Sequence, residues 1–345
     1  MRLPLYLALA SVLLATAFPA AAVPARGLYE ASIPVRSQHP DLREGALRQA
    51  FETVLVRVVG TRALPQPALD LLARASSFVQ GYGYESSGAG RDLRLRAQFD
   101  ARAIEAALRG QGLSVWGANR PEHIAWIALR DDGQRRDVLD AAGAEARAPA
   151  VAETAAARGL PLVFPQLDDT DRELVNFSEL WTGNFTGAEG ASNRYNARMV
   201  LVGRVGRESG QWLGRWTLLS GEGASEEWIS MGTTLEQALA SGIHDLADRQ
   251  AQRFAVQTGS ARELLLRVFG VESLNDYGRA LNYLRGLGPV RNAQVEAAEP
   301  GTLTFRLRVE GDPDTLSRVI ASGRVLRARD NGHFAETQSY DLVSQ

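Results

Sequence analysis

Apolar residues recur along the chain with two spacings, every second position for strands and every third or fourth position for helices, in three successive groups. The first group, residues 26–119, opens with an alternating strand near 28–35. A helix follows, with apolar positions from Leu42 to Leu55 on one face. The alternating strand 93–99 and a helix capped by Asp100 close the group. The group thus contains helices and strands, each with one apolar face. This predicts an α+β module with a mixed or antiparallel sheet.

The second group, residues 121–259, also mixes both spacings. We expect strands at 124–129, 199–205, 212–219 and 228–231, and helices within 137–158, 171–181 and 235–254. The third group, residues 260–330, follows the order β-α-β-β-α-β, which is that of a ferredoxin-like domain. The polar tail, 331–345, is expected to be flexible. The chain is therefore predicted to be an α+β protein of three small modules.

The first 22 residues have the pattern of a secretory signal peptide. Arg2 precedes an apolar run from Leu3 to Phe18, and Ala20-Ala21-Ala22 offers a cleavage site. Because the run is shorter than the ~20 residues of a membrane-spanning helix, we expect cleavage rather than retention as an anchor. The absence of Cys excludes a lipoprotein signal. We expect a periplasmic protein with no membrane span after cleavage.

Composition narrows the possible chemistry. The chain has 345 residues, no Cys and a net charge of -2. It therefore lacks disulfides, thiol catalysis and Cys-ligated metals, and its charge does not favour nucleic acid. Every basic residue is Arg, which fits codon bias in a GC-rich genome, and without Lys the chain has no Walker-type phosphate loop. No motif indicates a cofactor, and we expect none.

Three acidic residues, Asp168, Asp169 and Asp171, follow the predicted strand at 162–164 and are the candidates for a metal site. Carboxylates at the end of a strand can bind a hard cation such as calcium. The spacing is not that of an EF-hand, and the alternative is that these residues cap the next helix and complement its dipole.

Four residues in a stretch rich in Gly and Asn, 181–196, are the candidates for ligand binding: Trp181, Asn184, Phe185 and Tyr195. Aromatic rings and amides can stack on sugars or peptides and hydrogen-bond to them. The alternative is a surface loop anchored by one or two aromatic side chains.

No catalytic residue is predicted. The four His residues share no metal-binding spacing, and no Ser lies in a GxSxG elbow. A triad can still assemble from distant segments, so an enzyme is not excluded.

Several segments resemble a proteobacterial envelope family, domain of unknown function 2066. They are Leu28-Tyr29 with Ile33-Pro34-Val35, Arg48–Gly60, Arg158–Asp168, Leu201–Arg204, and Trp212 with Gly214–Trp216. The family has no assigned activity, so the resemblance implies no catalytic residue. The second module also looks like the N-terminal domain of TolB and like periplasmic activators of penicillin-binding proteins. That similarity implies docking to a protein partner.

We therefore expect a non-catalytic binding or adaptor protein of the cell envelope, with an envelope protein as its partner. Two alternatives stay open. One is an envelope hydrolase with its site in the cleft between the first and second modules. The other is a glycan- or peptide-binding protein that uses the aromatic residues of 181–196.

Overall fold

The structure is a computed structural model that describes residues 27–87, 92–118, 120–131, 135–195, 197, 199–220, 224–256, 262–311, 313–323, 325–329 and 337–343. The predicted signal peptide, residues 1–22, lies outside these residues. The protein is an α+β protein with helices packed on several sheets, as predicted.

The first unit packs three helices on a small antiparallel sheet. Its elements are β1 (Glu30–Pro34), α1 (Pro40–Val59), α2 (Gln66–Leu71), a 3₁₀ segment (Leu72–Phe78), β2 (Val79–Ser87), β3 (Asp92–Phe99) and α3 (Ala101–Gly110). The strands lie in the order β1-β3-β2. Phe51 of α1 stacks on Phe78 and contacts Phe99 in the core. Gly60 ends α1 in the left-handed conformation, at φ +83°.

The second unit is built on a six-stranded mixed sheet. Its elements are β4 (His123–Arg130), β5 (Arg136–Val138), α4 (Ala141–Arg147), α5 (Pro149–Ala157), β6 (Leu162–Val163), α6 (Asp169–Leu174), α7 (Phe177–Thr182), α8 (Thr186–Ser192), a 3₁₀ turn (Asn193–Tyr195), β7 (Met199–Glu208), β8 (Gln211–Ser220), β9 (Ala224–Gly232) and α9 (Leu235–Phe254). The strand order is β5-β4-β7-β8-β9, and β6 also pairs with β4. β4 and β7 are parallel, whereas β7, β8 and β9 form an antiparallel meander.

The two faces of this sheet are covered differently. α5 and α9 cover one face, where Trp216 of β8 and Trp228 of β9 are buried under α9. On the other face, α7 and α8 lie on β4, β5 and β7. Side chains of β8 and β9 that point to this second face remain more accessible: Ile229 is 60% exposed and Met231 is 62% exposed.

Two helix predictions in this unit need correction. The Ala-rich region 137–158 contains two helices, because Pro149 starts a new helix at a position where its missing N–H costs nothing. The helix predicted at 171–181 is also two, α6 and α7, separated by Val175 in extended conformation. The stretch 181–196, interpreted as a possible loop, contains α8, whose small residues Ala188 and Ala191 are buried.

The third unit carries the predicted β-α-β-β-α-β order along the chain. Its elements are β10 (Arg262–Val271), α10 (Leu274–Gly286), β11 (Val290–Glu299), β12 (Gly301–Val309), α11 (Pro313–Ser322), β13 (Leu326–Ala328) and β14 (Gln338–Leu342). Ser273 and Asp276 form a capping box at the start of α10.

The sheet of this unit departs from the ferredoxin-like order at one position. The strands lie in the order β11-β12-β10-β14-β13, so that β14 lies between β10 and β13. The prediction of a flexible tail at 331–345 is therefore wrong for residues 338–342. Tyr340 and Leu342 alternate with polar residues and are buried, which gives this short segment the pattern of a half-buried strand.

Candidate functional site

A cleft of about 380 Å³ lies between the first and second units, where α1 faces α5 and α9. Arg158 is its most buried charged residue. The Arg158 guanidinium donates hydrogen bonds to Asp248 Oδ1 at 2.6 Å and to the Gly60 carbonyl at 2.7 Å. Arg62 lies 3.5 Å from both Asp245 and Asp248. The cleft thus contains a network of two guanidinium groups and two carboxylates.

His244 lies in this cleft as a neutral ring. Its Nδ1 is 3.3 Å from Nη1 of Arg158, which can only donate, so Nδ1 accepts and the ring proton is on Nε2. Burial, and then the charges of Arg62 and Arg158, lower the pKa of His244 to about 4. The Thr53 hydroxyl, which also lines the cleft, donates to the Gln49 carbonyl of its own helix. The described residues of this cleft therefore hold an ion network and do not form a Ser-His-Asp arrangement.

Two further arginines join the first unit to the second. The Arg120 guanidinium donates to the carbonyls of Trp116, Gly117, Arg57, Arg158 and Gly159 and stacks on the Trp116 ring at 3.7 Å. Burial lowers the pKa of Arg120 to about 9. Arg57 donates to the Gly27, Glu30 and Ala157 carbonyls. These bonds stabilise the contact between the two units. Sequence reasoning did not find them, because the partners are main-chain carbonyls far away in the sequence.

The three candidate metal ligands have other roles. Asp168 Oδ1 accepts from the Asp171 N–H and caps α6, and the Arg194 guanidinium binds both oxygens of Asp168 at 2.6 Å. Arg194 lowers the pKa of Asp168 to about 2. Asp171 is fully buried and accepts from Arg194, from the Leu167 N–H and from the Tyr195 hydroxyl. Asp169 is exposed. Among the described residues, no group of three His, Cys, Asp or Glu side chains is arranged to hold a metal.

The four candidate ligand-binding residues lie on the second face of the sheet, mostly as packing groups. The Trp181 ring stacks on Phe177, with ring centroids 5.2 Å apart, and the Arg130 guanidinium lies 4.3 Å from the Trp181 centroid. Phe185 lies 5.5 Å below the guanidinium of Arg204. Tyr195 meets Trp126 edge to face. Asn184 is exposed, and its side chain accepts from the Thr186 N–H. The structure brings the three aromatic residues against one sheet, where they anchor the segment that carries α6–α8.

An exposed apolar surface adjoins this packing. In the sheet register, Arg204, Arg215 and Ile229 form one row across β7, β8 and β9, and Gly206, Leu213 and Met231 form the next. Directly paired residues point to the same face. We define the open face as Leu213, Arg215, Ile229 and Met231. Arg215 binds Glu208 with two hydrogen bonds of 2.6 and 3.1 Å, so its charge is already paired.

The open face ends at a free strand edge. β9 lies at the end of the sheet and pairs only with β8 within the described residues. It has nine residues and contains no Pro and no bulge, and of the features that protect an edge strand it has only the charges of Glu226 and Glu227, near its start. The alternation of Trp228 and Ser230 with Ile229 and Met231 was visible in the sequence. The sequence does not reveal that no helix of the described residues packs closely on the outer side of β9.

No helix in the described part of the chain is both long enough and apolar enough to cross a membrane.

Comparisons with known proteins give two similarities. A family described as "Domain of unknown function (DUF8605)" matches residues 22–117, which cover most of the first predicted module. It is a different family from domain of unknown function 2066, and the resemblance to the latter stays a prediction. Among solved structures, the C-terminal domain of LpoB from Salmonella enterica is 10% identical, with a TM-score of 0.22, over 38% of this chain and 93% of that one. At this TM-score the similarity supports no argument. No curated protein matches.

Proposed function

We propose that this is an exported, non-catalytic binding protein of the cell envelope that docks a protein partner on the open face. The observation that carries the proposal is the exposure of Ile229 and Met231 side by side on an unpaired edge strand. Contiguous exposed apolar side chains often mark the surface at which a protein binds a partner, whereas single scattered ones are common. Export rests on the predicted signal peptide in residues 1–22, and the relation to domain of unknown function 2066 is part of the same proposal.

The energy available on the open face suits a reversible contact. Full burial of an Ile or Met side chain stabilises by about 1.5–3 kcal/mol. Because Ile229 and Met231 are each about 60% exposed, covering them would contribute roughly 2–4 kcal/mol in all. That is a factor of about 30 to 800 in affinity. Removing these contacts should therefore weaken the binding of the partner measurably, while the fold stays unchanged.

Site-specific crosslinking in cells tests the proposal. A photo-crosslinking amino acid replaces Met231 in one exported variant and Leu274 in another. Leu274 is the matched control, because it is also an apolar residue, is 89% exposed and lies on α10 of the third unit. We expect irradiation to join one envelope protein to position 231 and not to position 274. Adding Ile229→Asp to the first variant should abolish the product.

The contrary results are equally clear. The same products from both positions would indicate non-specific contact, and no product at 231 from folded, exported protein would overturn docking on this face. Unfolding by urea checks that the protein stays folded with Ile229→Asp, whose expected cost is about 1–2 kcal/mol because Ile229 is 60% exposed and Asp is less favourable than Ile in a strand.

A further inference from the structure

Two arginines at the border of the open face have no carboxylate partner among the residues that the structure describes. Arg130 ends β4, and Arg204 lies in β7 in the row of Arg215 and Ile229. Neither makes a hydrogen bond or an ion pair within the described part of the chain. Glu208, whose carboxylate is influenced by the charge of Arg130, is bound by Arg215 instead. Within the described residues, neither arginine thus has an ion-pair partner beside this apolar surface, although Glu208 lies near enough to interact with the charge of Arg130.

Aromatic rings hold both guanidinium groups in place. Arg130 lies over Trp181 at 4.3 Å, and Arg204 lies over Phe185 at 5.5 Å, each measured to the ring centroid. Stacking fixes the plane of a guanidinium and leaves its edge free to donate hydrogen bonds. Nε of Arg204 is buried without an acceptor among the described residues, as is Nε of Arg158, so a carboxylate from outside would have to bind the Nη groups of Arg204.

The shape of the uncovered area indicates what could lie on it. Neighbouring strands are about 4.8 Å apart, so β8 and β9 together offer a width of about 10 Å, close to the diameter of one helix. On the adjoining strands, β4 and β7, that place is taken by α7 and α8. One more helix on β8 and β9 would complete the layer.

We propose that the docked segment of the partner is an amphipathic helix that carries a carboxylate for Arg204. This inference rests on the proposed function. The apolar side of the helix covers Leu213, Ile229 and Met231, and an Asp or Glu at its border binds the two Nη groups of the Arg204 guanidinium. Arg130 adds a second positive charge on the same side. Planar guanidinium groups bind carboxylates through two parallel hydrogen bonds, which gives the contact direction as well as strength.

A strand added to the edge of β9 fits these observations less well. Such a strand would lie about 14 Å from β7, three strand spacings away, which is too far for its side chains to reach Arg204 directly. It would also leave the outer sides of Ile229 and Met231 uncovered. The free edge alone therefore does not account for the two unpaired arginines.

Selection from a display library tests the inference. The probe is a library of single helices with randomised surface positions, selected on the purified exported protein. We expect the enriched helices to share an apolar stripe with one Asp or Glu at a fixed position beside it. Arg204→Gln should weaken their binding by about tenfold or more, and Arg267→Gln, which changes an exposed arginine of β10, should leave it unchanged.

A reciprocal change avoids dependence on the folding of the Arg204 variant. Replacing the shared acidic residue of the peptide by its amide should weaken binding to the wild-type protein by the same factor, and should have little further effect on Arg204→Gln. The combination of Arg204→Glu with a Lys at that peptide position should restore part of the binding.

The outcomes separate the two proposals. Helices that need Ile229 and Met231 but show no acidic position would overturn the carboxylate inference and leave docking intact. Enriched peptides that bind in extended form would overturn the helix. If the selected peptides bind Ile229→Asp as tightly as the wild-type protein, and no crosslink forms at position 231, the proposed function itself is overturned.

Discussion

The close approach of α9 to the sheet depends on Gly242, and replacing it by Ala is a sharp test of the packing. Gly242 lies against the indole of Trp216. A methyl group there would overlap Nε1, Cε2 and Cζ2 of the ring, the last at 2.6 Å. Trp216 cannot move aside easily, because it is buried and its N–H donates to Ser230 Oγ at 2.8 Å. Trp228 stacks on it and donates to the Gly242 carbonyl.

Two effects of opposite sign decide the result. Ala is favoured over Gly inside a helix by about 1 kcal/mol. Against this, relieving the overlap requires a shift of about 1 Å, and overpacking of a core typically costs about 1–3 kcal/mol. Weakening the hydrogen bond between Trp216 and Ser230 adds about 1 kcal/mol. We expect Gly242→Ala to lower the free energy of unfolding by about 1–3 kcal/mol in all.

The matched control is Gly278→Ala in α10. No atom lies within 4 Å of a methyl group at that position, so the gain in helix propensity should appear alone, as about 0.5–1 kcal/mol of stabilisation. Urea unfolding followed by tryptophan fluorescence and circular dichroism measures both variants. Trp216→Phe should recover part of the loss in Gly242→Ala. A Gly242→Ala protein as stable as the wild type would refute the proposed packing of α9 on β8.

Three other changes test separate parts of the structure. Burial lowers the pKa of His123 to about 4 in the folded state, below its ordinary value of 6.5. The unfolded chain therefore takes up the proton first. The stability should be complete above pH 6.5 and fall towards pH 4 by on the order of 3 kcal/mol, with a shallower fall in His123→Gln, as read from urea midpoints across this range. Arg158→Met should cost about 2–3 kcal/mol and reduce the cost of a further Asp248→Asn change to about 0–1 kcal/mol, the contribution of its remaining pair with Arg62, and a double-mutant cycle that showed no coupling would contradict the ion network. Tyr340→Ala should cost about 3 kcal/mol, whereas a loose tail would tolerate it without loss.

The sequence predicts the elements well where a local pattern determines them. The strand predicted at 212–219 and the helix predicted at 235–254 follow from spacing alone. The capped start of α3 at Asp100 follows from its residue type. Helix breaks are less visible: Pro149 starts a second helix inside a region that reads as one, because Ala favours helix on both sides.

The site depends on contacts between distant segments, which no local pattern reveals. Arg158 and Asp248 lie far apart in the sequence, and so do Arg204 and Phe185. The aromatic residues at 181–195 were open to two interpretations, ligand binding or anchoring. The geometry favours anchoring, because the rings pack against the sheet. The exposure of Ile229 depends on which helices pack on β9. That packing is determined by the tertiary structure, not by the local sequence.

The position of β14 has a consequence for how the chain folds during synthesis. β10 pairs with β14 through Leu266 and Gln338, and β13 pairs with β14 on its other side. At a chain growth of about 5–20 residues per second, Gln338 follows the end of β10 by roughly 3–13 s and the end of β13 by roughly 0.5–2 s. Until residue 338 emerges, β10 and β13 each keep an unpaired edge open to intermolecular association. The third sheet should therefore close last, and a block in elongation between β13 and β14 would leave an aggregation-prone intermediate.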